Sequence, residues 1–173
     1  MDYINSDQHR IEKTISFLKK HISNDSNILD LGIENNVSNQ LKSNGFKVTN
    51  TKGEDLDLDT SSVEKAGYDV VTSFEIFEHM LCPFHLLRNI KADKLVVSVP
   101  LKLWFTDAYW NEKDDRDRHY HEFEPKQLEM LLEKSGWKIV DSEKWASRLS
   151  KLGIRPLLRR FVPRYYILYC ERK

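Results

Sequence analysis

Two cysteines and six glycines in 173 residues exclude several kinds of protein at the outset. Cys82 and Cys170 stand apart with no CxxC spacing, so neither a disulfide framework nor a zinc knuckle is indicated, and both read as ordinary buried or half-buried thiols. No apolar run approaches the ~18 residues of a membrane span. The opening MDYINSDQHRIEKT carries acids and polar groups where a signal peptide has its apolar stretch, so a cytoplasmic protein is expected. An excess of one charge is also missing: 27 Lys and Arg stand against 27 Asp and Glu. That balance argues against a protein whose main task is to neutralise nucleic-acid phosphates. Repeats and low-complexity linkers are absent as well.

What is present suits one globular domain over residues 1–173, with 40% hydrophobic and 31% charged residues. The charge is unevenly placed. From Lys144 to Lys173 there are nine Lys and Arg and one acid, Glu171, whereas GEDLDLD (53–59) has four acids and no base. Leu149, Leu152, Leu157, Leu158 and Phe161 interleave with Arg148, Lys151, Arg155, Arg159 and Arg160 in a pattern that suits an anionic membrane surface or an anionic substrate. Pro156 interrupts any continuous helix there, and a solvated surface is the plainer account.

Helical and strand patterns alternate along the chain. Ile11, Ile15, Leu18 and Ile22 form a stripe that predicts an amphipathic helix over 7–22, within an N-terminal segment 1–26. NILDL (27–31) reads as a strand running into Gly32, followed by a helix through Val37 and Leu41 that ends at Asn44 and Gly45. Strands are expected over 46–51, 68–74, 95–99, 137–140 and 165–170, a helical turn at TSSVEKA, and helices at 83–90 and 125–134. Such alternation implies right-handed crossovers and an α/β fold, mainly parallel, with helices on both faces. Its ligand site lies beyond the carboxyl ends of the strands, where Asp30, Glu75 and Pro100 fall. The long stretch 101–123 between a strand and a helix, rich in aromatics at Trp104, Phe105, Tyr109 and Trp110, reads as a lid or substrate loop.

Four segments carry a resemblance. ILDLG (28–32), YDVVTSFEIFEHM (68–80), LVVSVP (95–100) and HEFEPKQLEMLLEKSGWKIV (121–140) are similar, in order and spacing, to motifs of class I S-adenosylmethionine-dependent methyltransferases. The resemblance implies a Rossmann-like, seven-stranded sheet with its last strand antiparallel, and S-adenosylmethionine as cofactor. It places Asp30, Gly32, Glu34, Glu54, Asp55, Asp57, Phe74 and Glu75 at the cofactor. The chain departs from the family in having Glu34 and Asn36 where glycines usually stand and Lys52 near the place of a ribose-binding acid. The plainer alternatives are that Asp30 caps the helix after it and that Gly32 is a turn residue. The expected activity is methyl transfer to a small molecule, at oxygen. A domain that keeps the fold and has lost catalysis is the competing reading, and a nicotinamide-dinucleotide binder is disfavoured because the turn after Asp30 lacks GxGxxG.

His119 and His121, two apart in an extended segment, are candidates for a general base, as is His79; more commonly such histidines bond neighbouring backbone. Glu75, Glu78 and His79 followed by His121 and Glu124 also resemble the RNA 3′-terminal ribose 2′-O-methyltransferases, in which such residues hold a divalent metal. That likeness implies a metal on Glu75, Glu78, His79 and His121. Nucleic acid is not expected as substrate, because no RNA-binding module or overall positive charge accompanies it.

Overall fold

The computed structural model describes residues 2–147 and 161–173. Most of the basic, apolar-interleaved segment proposed for membrane contact, residues 148–160, lies outside the described residues. Four helices, α1 (Asp2–His21), α2 (Asn36–Ser43), α3 (Pro83–Asn89) and α4 (Pro125–Lys134), pack around six strands. The strands are β1 (Asn27–Asp30), β2 (Lys47–Asn50), β3 (Val70–Phe74), β4 (Lys94–Pro100), β5 (Trp137–Trp145) and β6 (Tyr165–Arg172). They form one sheet in the order β2-β1-β3-β4-β6-β5. The first four strands are parallel, and β6 runs antiparallel to both β4 and β5. Among the described residues no helix is long and apolar enough to cross a membrane.

Side-chain alternation along the strands separates two cores. Ile28, Val70, Val96 and Ile167 share one face with Ile11, Leu18 and Leu41 of α1 and α2. Leu29, Val71, Leu95 and Leu168 share the other with Leu86 of α3 and Leu128 and Leu132 of α4. The central strands are therefore buried at nearly every position, as a sheet covered on both faces requires.

Three expectations are modified. The seventh strand implied by the resemblance does not occur among the described residues. The connection from β2 to β3, residues 51–69, folds into turns: Asp55 Oδ1 accepts from Asp57 N and Asp59 Oδ1 from Ser61 N, side-chain bonds that compete with a ladder. TSSVEKA accordingly forms a hydrogen-bonded turn and no helix. β5 runs on to Trp145, past a register shift between Ile139 and Asp141. Its second half looks polar because α1 supplies the partners: Lys13 and Lys20 pair with Glu143 at 2.8 and 3.3 Å, and His21 with Asp141 at 2.9 Å.

Trp137 anchors the hairpin to α3. It is fully buried, its Nε1 donates to Leu87 O at 3.1 Å, and Arg172 stacks over its ring at 3.9 Å. Trp137→Phe, which strands the Leu87 carbonyl, is expected to cost about 1–2 kcal/mol, and Trp137→Ala about 3–5 kcal/mol. Urea denaturation of both variants checks the order and the gap.

Candidate functional site

The carboxyl ends of β1, β2, β3 and β4 open on one side, and side chains at those ends hold them together. Asp30, at 2% exposure, accepts from Thr72 Oγ1 of β3 at 2.7 Å and from Asn50 Nδ2 of β2 at 3.0 Å. Burial raises its pKa from the ordinary 3.8 to about 6, against the lowering effect of the Thr72 and Asn50 bonds. Gly32 follows with φ +94°, where a β-carbon would be strained; its N–H donates to Thr51 Oγ1 at 2.8 Å. Asn35 then caps α2, accepting from Val37 N and Ser38 N at 2.8 and 3.2 Å. The chain thus answers some of its own amides at the turn where the family's glycines would leave them open.

The acids expected at the cofactor are placed as follows. Glu34 turns to Lys42 of α2, 3.0 Å away. Glu54 accepts from Lys52 N at 2.7 Å, and Asp55 from Asp57 N. Both oxygens of Asp57 are taken by Leu81 N and Cys82 N at 2.7 Å, which fixes the entry to α3. Phe74 packs into the core shared with α1 and α2.

Glu75 is the distinctive group. It leaves the end of β3 at φ +57°, a conformation that costs a non-glycine residue about 1–3 kcal/mol and that collects at functional sites. Its N–H donates to Ser98 O at 3.0 Å, and its Oε1 accepts from Ser98 Oγ at 2.8 Å. Part of its surface stays open, yet it is set deeply enough that burial raises its pKa, opposed by the charges of Arg10 and Arg164. Glu78, in the 3₁₀ turn Phe77–His79, is 1% exposed, and its Oε2 has no partner among the described residues. Burial, and secondly the charge of Glu75, holds Glu78 well above the usual carboxylate range.

The segment between β4 and α4 returns to this turn. Tyr120 N and His121 N both donate to Glu78 O, at 2.8 and 3.2 Å. His79 Nδ1 donates to Arg118 O at 3.1 Å, and its Nε2 lies 3.8 Å from Glu78 Oε1. The His119 ring stands edge-on to His79 with centroids 4.9 Å apart, and its Nδ1 is 3.0 Å from Glu122 Oε1. Burial lowers the His119 pKa, partly offset by the Glu122 bond, which favours the neutral imidazole. The structure thus brings Glu78, His79 and His119 together, with one ligand atom of each lying within 4.8 Å of the others. His121 instead donates through Nε2 to Leu81 O at 3.2 Å, and Glu75 is held by Ser98. Glu124 caps α4.

Glu122, Arg10 and Arg164 did not stand out in the sequence. Glu122 had a signal, three residues after His119. The two arginines had none, since only the fold carries α1 and the start of β6 to the end of β3.

A family described as a methyltransferase domain matches residues 3–142. No curated protein matches the chain. Among solved structures, an S-adenosylmethionine-dependent methyltransferase from Archaeoglobus fulgidus is similar at 16% identity and a TM-score of 0.54, over 98% of this chain and 99% of that one. One from Mesorhizobium loti gives 13% identity and a TM-score of 0.58, over 94% and 100%. The magnesium protoporphyrin IX methyltransferase of Synechocystis PCC 6803, solved with S-adenosylhomocysteine bound, gives 12% and 0.55, over 97% and 84%.

A carboxyl whose folded pKa is raised stabilises the fold fully below its unfolded pKa and loses that contribution as pH climbs through the folded value. For Asp30 the window runs from about pH 4 to about pH 6, and the loss is roughly 3 kcal/mol. Asp30→Asn carries no such charge, and Asn50 Oδ1, buried and unpartnered, is available to its amide. The stability difference, variant minus wild type, is therefore expected to grow by roughly that amount between pH 4 and pH 7 in urea melts. A constant difference would show that Asp30 is not the titrating group.

Proposed function

The chain belongs to the S-adenosylmethionine-dependent methyltransferase family, and on that footing we propose that it moves the donor's methyl group to an oxygen of a small molecule. The observation that carries this reading is Glu75, held in a strained conformation at the open end of β3 beneath the lid. A carboxylate there suits a donor carrying sulfonium and ammonium charges, and the turn at Gly32 keeps side chains from the crevice mouth. When bound, the donor supplies an electrophilic methyl group on a positively charged sulfur. The chain's own residues align, exclude water and take a proton. Glu75 would hold the donor, whose methyl carbon would pass to the acceptor oxygen while the sulfur kept the electron pair of the broken bond. The hydroxyl proton leaves to the neutral His119, whose tautomer Glu122 sets.

Calorimetric titration with S-adenosylhomocysteine tests the donor site. Saturable binding is expected in the wild type, weakened roughly ten-fold or more in Glu75→Gln, which removes a buried opposing charge. Absence of both heat and thermal shift at millimolar ligand would overturn the reading.

A divalent metal is a second reading, favoured by the convergence of Glu78, His79 and His119. Both imidazoles have Nδ1 committed to an oxygen, Arg118 O and Glu122 Oε1, so each offers Nε2, the arrangement that orients metal-ligating histidines. The unpartnered Glu78 Oε2 adds a carboxylate donor. These residues fit a manganese- or magnesium-type ion with sites to spare for an acceptor oxygen. Manganese titration is then expected to raise thermal stability, with affinity reduced in His119→Ala and unchanged in His121→Ala. No binding, or equal losses in the two variants, would remove the metal from the site.

A further inference from the structure

Beside the His119–Glu122 pair lies a cavity of about 290 Å³. That is the small end of the ~300–1,000 Å³ range of ligand pockets, room for a one-ring compound. Leu103 closes its floor, while Tyr109 and Trp110, each about half exposed, present aromatic surface to it. The Arg118 guanidinium stacks over the Trp110 ring, 4.9 Å from its centroid, which steadies the ring. Tyr109 is held at three points: its N–H donates to Glu122 Oε1, its carbonyl accepts from His119 N, and its hydroxyl donates to Asp117 at 2.8 Å.

Arg164 supplies the cavity's cation. Its backbone is fixed on both sides, N–H to Trp145 O at 2.9 Å and carbonyl to Leu101 N at 2.7 Å. Of its five N–H donors, one, on Nη1, is spent on Leu101 O at 2.9 Å, and among the described residues the guanidinium has no ion pair. A braced guanidinium with spare donors recognises a planar oxyanion through its flat fork. Asp107 and Glu122 line the same cavity. Two carboxylates would repel a dianion such as phosphate, and they favour a ligand whose other end donates a hydrogen bond.

We infer that this cavity binds the acceptor, and that the acceptor is a small hydroxyaryl carboxylate: the carboxylate on Arg164, the ring against Tyr109 and Trp110, the hydroxyl toward the His119–Glu122 pair. The assignment rests on the methyl-transfer reading for the use of that hydroxyl; the pocket chemistry stands on the lining alone.

The test is titration of the full chain with 4-hydroxybenzoate and its neutral analogue 4-hydroxybenzamide, followed by tryptophan fluorescence and by ligand-observed NMR. The carboxylate is expected to bind at least about ten-fold more tightly than the amide, the worth of one charge-assisted bidentate contact. Arg164→Gln should abolish that preference, and Arg164→Lys should keep part of it. Equal affinities, tighter binding of the amide, or no saturation by the carboxylate up to about 10 mM would overturn the inference. Should Arg164→Gln fail to fold, the comparison of the two probes on the wild type still decides. S-adenosylhomocysteine binding, measured separately on the wild type, keeps the two ideas apart. Carboxylate failure with that binding intact removes only the acceptor assignment, and the converse removes only the methyl donor.

Discussion

A single buried carboxylate sets the geometry on which the crevice depends. Asp30 ends β1 and receives hydrogen bonds from Asn50 of β2 and Thr72 of β3, so three adjacent strands are tied together at one level. Desolvation works against it, lifting its pKa to about 6, and the two neutral donors offset only part of that cost. From this level Gly32 turns away, Glu75 leaves β3 in its left-handed conformation, and Pro100 leads into the segment between β4 and α4. If the three ends were displaced relative to one another, neither the turn nor Glu75 would face the same space.

The second constraint is the return of the segment between β4 and α4. The Glu78 carbonyl takes two backbone N–H groups, from Tyr120 and His121, and His79 reaches Arg118 O. Farther out, Arg116 Nη2 donates to Gly53 O at 2.8 Å, tying that segment to the acidic loop after β2. These contacts carry His119 over the 3₁₀ turn and the aromatic arm over the sheet's end. The result is a set of ionisable groups with burial to perturb them, next to a cavity with aromatic walls. Methyl transfer asks for little beyond such an arrangement: alignment in a water-poor space and somewhere for a proton to go.

Much of the fold was legible in the sequence because it follows from local pattern. The 3.6-residue stripe of α1, the apolar runs of β1, β3 and β4, Pro83 and Pro125 at helix starts and Gly136 after α4 all encode their element within a few residues. The polar half of β5 was not legible, because its strand character depends on Lys13, Lys20 and His21 more than a hundred residues earlier. A seventh strand was a matter of likeness, and the Asx-type turns between β2 and β3 take its place.

The sequence by itself determined the α/β alternation, the placing of Asp30, Glu75 and Pro100 at strand ends, and the clustering of glutamates and histidines in two short segments, since each is a matter of spacing along one chain. Only the tertiary structure decided which members of those segments meet. His119 and His121 are chemically identical and two residues apart, and a regular extended backbone would set both on one face; the chain bends at Tyr120, where two successive N–H groups bond Glu78 O, so one imidazole meets Glu78 and His79 while the other bonds Leu81 O. The fold alone brought Arg164 from the start of β6 to the segment after β4, because antiparallel pairing with β4 sets Tyr165 opposite Pro100. Which side chains share a site is a property of register and crossing strands, and these arise only when distant segments pack.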